Sequence, residues 1–268
     1  MNTQQQRPLW KWILLFVAAT FLAMFGYGLL QGMFLLTEEA GLPFLLIFPS
    51  IIYLGLYALF VRWFEKRWPT DLPLRRLVPH TLIGLLVGFV FMVIVVSAIT
   101  ATGCAAEFWD SFVWHEQFYA LMFFLMVAVG EEVMSRGVIF RLIDERWGTW
   151  IALLVSSLIF GIGHISNDNS SWWASLAIAI EAGLLLGAAY KWSGNLWVPI
   201  GIHWAWNYTQ GNIFGLAVSG NDNGSHVLTT TVNGPEIITG GAFGPEASII
   251  TVIFGLICTL VFLINCRR

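Results

Sequence analysis

Charge is what this chain has least of. Only 11% of its 268 residues are Asp, Glu, Lys or Arg, 57% are hydrophobic, and the mean hydropathy is +0.75. Soluble domains carry about 25% charged residues, so the composition excludes an ordinary soluble domain and reads as a polytopic membrane protein. Cysteine is also scarce. Cys104, Cys258 and Cys266 fall in an expected outer loop, an apolar segment and the far end of the sequence, a placement that argues against a disulfide framework or a cysteine metal cluster. A cleavable signal peptide is not expected: the apolar run after Arg7 and Lys11 reaches Leu36, too long for a signal core and long enough to span. Neither an internal repeat nor a low-complexity tail is visible. One membrane-embedded domain over residues 1–268 accounts for the whole length, and the net charge of −3 says less than where the charges stand.

About 20 apolar residues cross a bilayer as a helix. On that measure the expected fold is an all-α bundle of about eight spans: Trp10–Leu36, Pro43–Phe64, Pro79–Thr100, Glu116–Ile143, Trp150–Ile165, Trp172–Tyr190, Leu196–Val218 and Glu246–Cys266. Basic residues mark cytoplasmic loops, and they partition cleanly here. Arg7, Lys11, Arg62, Lys66, Arg67, Arg75, Arg76, Arg141, Arg146, Lys191, Arg267 and Arg268 fall on one side if the spans alternate. The opposite side holds Glu38, Glu39, Glu107, Asp110, Asp168, Asp222 and Glu236 and no Lys or Arg. Both termini are therefore predicted cytoplasmic. Tryptophans at many span ends, Trp63, Trp147 and Trp172 among them, fit interfacial belts. The motif-bearing core is 116–218. In the non-cytoplasmic loop 219–245, Val227–Val232 reads as a strand, Asn233-Gly234 as a turn and Glu236–Thr239 as a returning strand, together a small hairpin lid.

Against this apolar background the polar residues inside spans stand out. Glu131 and Glu132 are followed by Arg136, and Glu132 and Arg136 share a helix face at i,i+4. An ionised side chain in hydrocarbon costs roughly 2.5–3.5 kcal/mol on insertion scales. A buried ion pair holding the bundle together is the bland explanation, but one arginine balances one carboxylate, so the second must be protonated or meet another cation, a metal or water. His164 ends Phe160-Gly-Ile-Gly-His164, where Gly161 and Gly163 would let a neighbouring backbone approach. Taken alone it is as well explained by a place at the interface. His203 and Asn207 share a helix face in His203-Trp-Ala-Trp-Asn207; interhelical hydrogen bonding competes with a site there. Glu181, flanked by Gly183 and Gly187, suits a hydrogen bond to a neighbouring helix as well as a catalytic role.

Together these residues offer what amide hydrolysis needs: a carboxylate to activate water, groups to polarise a carbonyl, and a proton for the leaving amine. Two histidines could alternatively hold a metal. The soluble zinc-protease pattern His-Glu-x-x-His is absent, and no Gly-x-Ser-x-Gly nucleophile stands out. On length alone one obstacle is foreseen. At 1.5 Å per residue His203 lies roughly 10 Å from the cytoplasmic end of its span and His164 roughly twice as far along its own. Convergence would need span five to tilt or to begin below the surface.

EEVMSR, FGIGH and HWAWN, in that order, resemble the CPBP family, the CAAX protease and bacteriocin-processing proteins also called Abi or type II CAAX prenyl endopeptidases. The stretch NLWVPIGIHWAWN resembles the lead into the family's last motif, and TGGAFGPEAS a segment before the last helix of many bacterial members. The resemblance implies intramembrane peptide-bond hydrolysis, with Glu131, Glu132, Arg136, His164, His203 and Asn207 as the catalytic set. It leaves metal dependence open: Zn2+ is the candidate cofactor, and Glu132, His164 and His203 its ligands if a metal is bound. It also implies a peptide or lipidated-protein substrate within membrane lipid, no nucleic acid, and residence in a bacterial inner membrane. Two competing functions carry over as expectations to be tested: a non-proteolytic scaffold or immunity protein, and a proton-coupled transporter.

Overall fold

The computed structural model describes residues 8–39, 45–222 and 224–266. Arg7, Pro43, Arg267 and Arg268, used above for span and charge assignment, lie outside the described residues, as does the Glu107 side chain. A helix occupies each of the eight predicted segments: α1 (Leu9–Glu39), α2 (Phe48–Trp63), α3 (Leu77–Ala101), α4 (Trp114–Trp147), α5 (Thr149–Gly163), α6 (Trp172–Ser193), α7 (Trp197–Tyr208) and α8 (Ile249–Ile264). Among the described residues four helical stretches, Leu9–Glu39, Leu74–Ala101, Trp114–Trp147 and Trp172–Ser193, are long and apolar enough to cross a membrane. Phe48–Trp63, Thr149–Gly163 and Ile249–Ile264 are shorter apolar helices.

Local chemistry explains the boundaries. Pro49 occupies the first turn of α2, where a missing N–H costs nothing. Ser171 caps α6 by accepting from the Ala174 N–H, and Ser248 caps α8 by accepting from the Ile250 N–H. Gly148, at φ 87, makes the tight reversal between α4 and α5 in a backbone region that side chains disfavour.

The apolar packing is built in two main clusters. One joins α1, α2, α4 and α5 through residues such as Leu30, Tyr57, Val129, Phe140 and Leu153. The other joins α3, α6 and α7 through Phe91, Met92, Leu185, Ile202 and Trp206. The seam between α3 and α7 is glycine-lined: a Cβ on Gly84 or Gly88 would overlap the backbone carbonyl of Val198 or Ile202. Small residues that let backbones meet are the usual means of close helix packing in membranes. The outer faces of α1 and α3 carry exposed Leu14, Phe21, Phe25, Leu82, Leu86 and Phe89, the surface expected against lipid.

Two expectations need correction. The predicted hairpin lid does not form. Leu228–Val232 is a strand, but it pairs antiparallel with Ala105–Trp109, across the sequence from it. Glu236–Thr239 is a single helical turn, entered through Pro235, which cannot donate to a ladder, and ended by left-handed Gly240. Span seven is also shorter than predicted. Its helix gives way to a π-helical turn at Thr209–Ile213 and does not continue to Val218. Val198 to Ile202 and most of the turns beyond are buried inside the bundle, so hydropathy there reports burial in protein rather than bilayer thickness.

Candidate functional site

The α4–α5 hairpin brings His164 level with the glutamates, and α7 starts at buried Leu196 and Trp197 rather than at the surface, which sets His203 deeper than its residue count implied. α4 runs past the expected Ile143 to Trp147, turns at Gly148, and α5 begins at Thr149. Glu131 lies 16 residues before Trp147 and His164 lies 15 residues after Thr149. Two helical arms of nearly equal length, folded back on each other, bring their far ends level. His203 is carried in from α7, one residue after the carbonyl that Gly88 touches.

At this level Glu132 Oε1 accepts from Arg136 Nη1 at 2.8 Å and from His203 Nδ1 at 3.0 Å. Arg136 also donates to the Gly183 carbonyl at 3.1 Å and stacks over the Phe160 ring, 4.5 Å from its centre. Glu132 and Arg136 are 0% and 1% exposed, so this is a fully enclosed pair. Glu132 thus orients His203 through Nδ1, leaving Nε2 turned toward Glu131. On the other side the His164 Nδ1 lies 2.8 Å from the Phe160 carbonyl, which can only accept, so Nδ1 carries the proton.

Three groups then converge. Glu131 Oε2 stands 3.9 Å from His164 Nε2 and 4.0 Å from His203 Nε2, and this buried oxygen has no hydrogen-bond partner in the protein. Each spacing is too long for a direct hydrogen bond and right for a small bridging species. Asn207, one turn beyond His203, lines the same cavity of about 390 Å3 with Glu131, His164, Asn167 and Asp222. The structure therefore brings together all six residues picked from the sequence. It divides the glutamates by environment: Glu132 is committed to Arg136 and His203, and Glu131 faces the cavity.

The metal question turns on donors. Among the described residues no group of three His, Cys, Asp or Glu side chains is preset for a metal ion. The nearest approach to one is Glu131 Oε2 with the two Nε2 atoms, a donor set of the right chemistry for zinc. Glu132, named from the sequence as a ligand, has one oxygen taken by Arg136 and His203.

Two features, Tyr27 and the π-helical turns, were not read from the sequence, and Glu181, which was, has an environment the sequence did not show. Tyr27 of α1 lines the cavity, is within hydrogen-bonding reach of Glu131, and lies where a Cβ on Gly130 would be. π-helical turns follow Glu132 (Val133–Phe140) and enclose Glu181 (Ala179–Gly183); such turns are frequent at functional sites and have no spacing signature. Glu181 itself is 0% exposed and neither oxygen finds a partner; it borders a void of about 20 Å3, room for one water, together with His164, Asn207, Ser219 and Glu246. Of the two glycines before His164, Gly161 meets the Ser175 carbonyl, whereas Gly163 has no close neighbour.

The sequence model of the family described as type II CAAX prenyl endopeptidase Rce1-like matches residues 113–209, the stretch that carries Glu131, Glu132, Arg136, His164, His203 and Asn207. Over this segment the chain is similar to that family. The chain is 34% identical over 79 residues to the uncharacterized protein YpbD of Bacillus subtilis (strain 168), covering 30% of this chain and 36% of that protein. It is 29% identical over 85 residues to an uncharacterized 24.3 kDa protein of Escherichia coli, covering 31% of this chain and 38% of that one. The chain therefore spans little more than a third of the relatives it matches. No solved structure matches it significantly.

Proposed function

We propose that the chain is an intramembrane endopeptidase in which Glu131 activates water held between itself, His164 and His203. The observation that carries this reading is the convergence of Glu131 Oε2 on the two Nε2 atoms at 3.9 and 4.0 Å. A carboxylate and two imidazole nitrogens that share a small space need a donor among them, and water supplies two hydrogens. Glu131 takes one proton as the water oxygen attacks the substrate carbonyl carbon. Asn207 donates its amide N–H to the oxyanion that forms, while the two Nε2 atoms accept from the water and hold it in place. The proton held by Glu131 then passes to the amine as the C–N bond breaks. Arg136 and Glu132 do no bond chemistry here; they fix the ring of His203, as a carboxylate does behind a catalytic histidine.

Zn2+, were it bound, would be held by Glu131, His164 and His203 and would lower the pKa of a bound water. Elemental analysis of purified protein, paired with cleavage assays in chelator, decides between the two forms. The same reading takes all eight helices as spans, with the basic loops in the cytoplasm of a bacterial inner membrane, and a lipidated or membrane-inserted peptide as substrate. Replacement of Glu131, His164 or His203 by Ala is expected to abolish cleavage with the protein still in the membrane. Undiminished cleavage by Glu131→Ala sinks the hydrolytic reading. Loss of cleavage with the cellular role intact instead favours a scaffold.

A further inference from the structure

The cavity above the site is rimmed by exposed residues at the end that faces away from the basic loops. From Glu131 its wall runs along α4 through Val127 to Phe124 and Phe123, toward the helix start at Trp114 and away from Arg141 and Arg146. Its rim is formed by Asn167 after α5 and by Ser219, Asn221 and Asp222 after α7. Asn221 and Asp222 are exposed, whereas Glu131 at the floor is only partly so. The rim is a built structure: the Asn167 side chain donates to the Ser219 carbonyl at 3.0 Å, and the Ser219 N–H donates to buried Glu246 at 2.5 Å.

The other end is plugged. Every residue from Ser135 to Ile143 is buried. Beneath them Arg141 pairs with Glu65 at 2.5 Å, and Tyr57 bridges Asp71 and the Gly137 carbonyl. The Leu196 N–H, at the entry to α7, donates to the Asp71 carbonyl at 2.9 Å. These closing contacts come from the same loops that hold Arg67, Arg75, Arg76 and Lys191. Loops rich in Lys and Arg stay in the cytoplasm.

We propose that substrate reaches this site from the non-cytoplasmic side, so that the substrate class is a peptide segment displayed at the outer face of the membrane, from an exported or outwardly inserted chain. The inference rests on the hydrolytic reading for the word substrate; the direction of access stands on the cavity and the charge partition alone. Polar substrate backbone can descend from that face to Glu131 without crossing hydrocarbon, while from the basic face it would have to displace the enclosed Glu132–Arg136 pair.

Cysteine accessibility tests it directly. In a chain carrying Cys104→Ser, Cys258→Ala and Cys266→Ser, single reporters Val127→Cys (cavity wall), Asn221→Cys (rim) and Arg75→Cys (basic loop) are exposed to a membrane-impermeant maleimide in intact cells and after permeabilisation. Where that background fails to accumulate, Cys104→Ser alone removes the native thiol on the outer side. The expected result is modification of Val127→Cys and Asn221→Cys in intact cells and of Arg75→Cys only after permeabilisation. Protection of Val127→Cys in intact cells, whether or not permeabilisation exposes it, overturns the proposal, as does labelling of Arg75→Cys from outside. None of these readouts needs catalysis, so an inactive protein with an outward-open cavity fails the hydrolytic reading alone.

Discussion

His203 Nδ1 lies 3.0 Å from Glu132 Oε1, the same oxygen that receives Arg136 at 2.8 Å. One carboxylate oxygen thus serves an arginine and a histidine at once, and the adjacent glutamate is left for other work. The two glutamates should fail differently. Glu131→Gln removes the proton acceptor and is expected to reduce cleavage to background with thermal stability nearly unchanged, because its side chain is partly exposed. Glu132→Gln weakens the orientation of His203, expected at about 10–100-fold in rate, and leaves Arg136 as a buried charge without its partner, a loss of about 3–5 kcal/mol. Melting curves in detergent beside cleavage rates separate the two. Equal destabilisation by both changes would contradict the division of roles.

Asn207→Ala should act on the transition state. Removal of one oxyanion donor costs about 100–1000-fold in kcat, and KM should stay near wild type. A change confined to KM would place Asn207 in substrate binding instead.

The glycine seam sets the position of His203. Gly88→Val would push against the Ile202 carbonyl, the residue before His203. Overpacking of this kind costs about 1–3 kcal/mol, and cleavage should fall further than stability because the ring moves with the backbone. Gly28→Ala, with no neighbour near its Cβ, is the matched control and should leave both unchanged.

Glu181 offers the opposite outcome. Neither of its oxygens has a partner in the protein; Ile178, Ala182, Leu186 and the Gly255 face of α8 pack beside it, and His164, Asn207, Ser219 and Glu246 lie across the small void. Exchange of an unsatisfied buried polar group for an apolar one of similar shape is neutral or stabilising. Glu181→Met is expected to raise the melting temperature. A drop instead would show that the neighbouring void holds a water on which the carboxyl depends.

Much of this was legible in the sequence for physical reasons. Intramembrane charge is costly enough that Glu131, Glu132 and Arg136 could be singled out without a structure, and the i,i+4 rule paired the right glutamate with the arginine. Apolar runs of spanning length located a helix in each of the eight expected segments. Other features leave no mark in a linear pattern. The end of α7 could not be read from hydropathy, since protein interior and lipid are equally apolar to it. Leu228–Val232 was recognised as a strand, but its partner Ala105–Trp109 lies more than a hundred residues away, beyond any local turn signal. Tyr27 looks like one aromatic among many until α1 is folded against Gly130. The spacing argument that doubted the convergence of His164 with His203 counted each span from the membrane surface, and so overlooked that α7 starts inside the protein and that α4 and α5 share a hinge.

That hinge, Gly148, makes the two arms of the α4–α5 hairpin into a ruler. Because Glu131 and His164 are counted outward from it in nearly equal steps, an added or deleted residue in one arm shifts its reactive group by about 1.5 Å along the axis and about 100° around it. The arms can change composition freely on their lipid faces, but not their length unless both change together. Spacing between the two motifs is itself part of the site's geometry, held by thirty-two intervening residues, of which Glu132, Arg136 and Phe160 position the site's side chains.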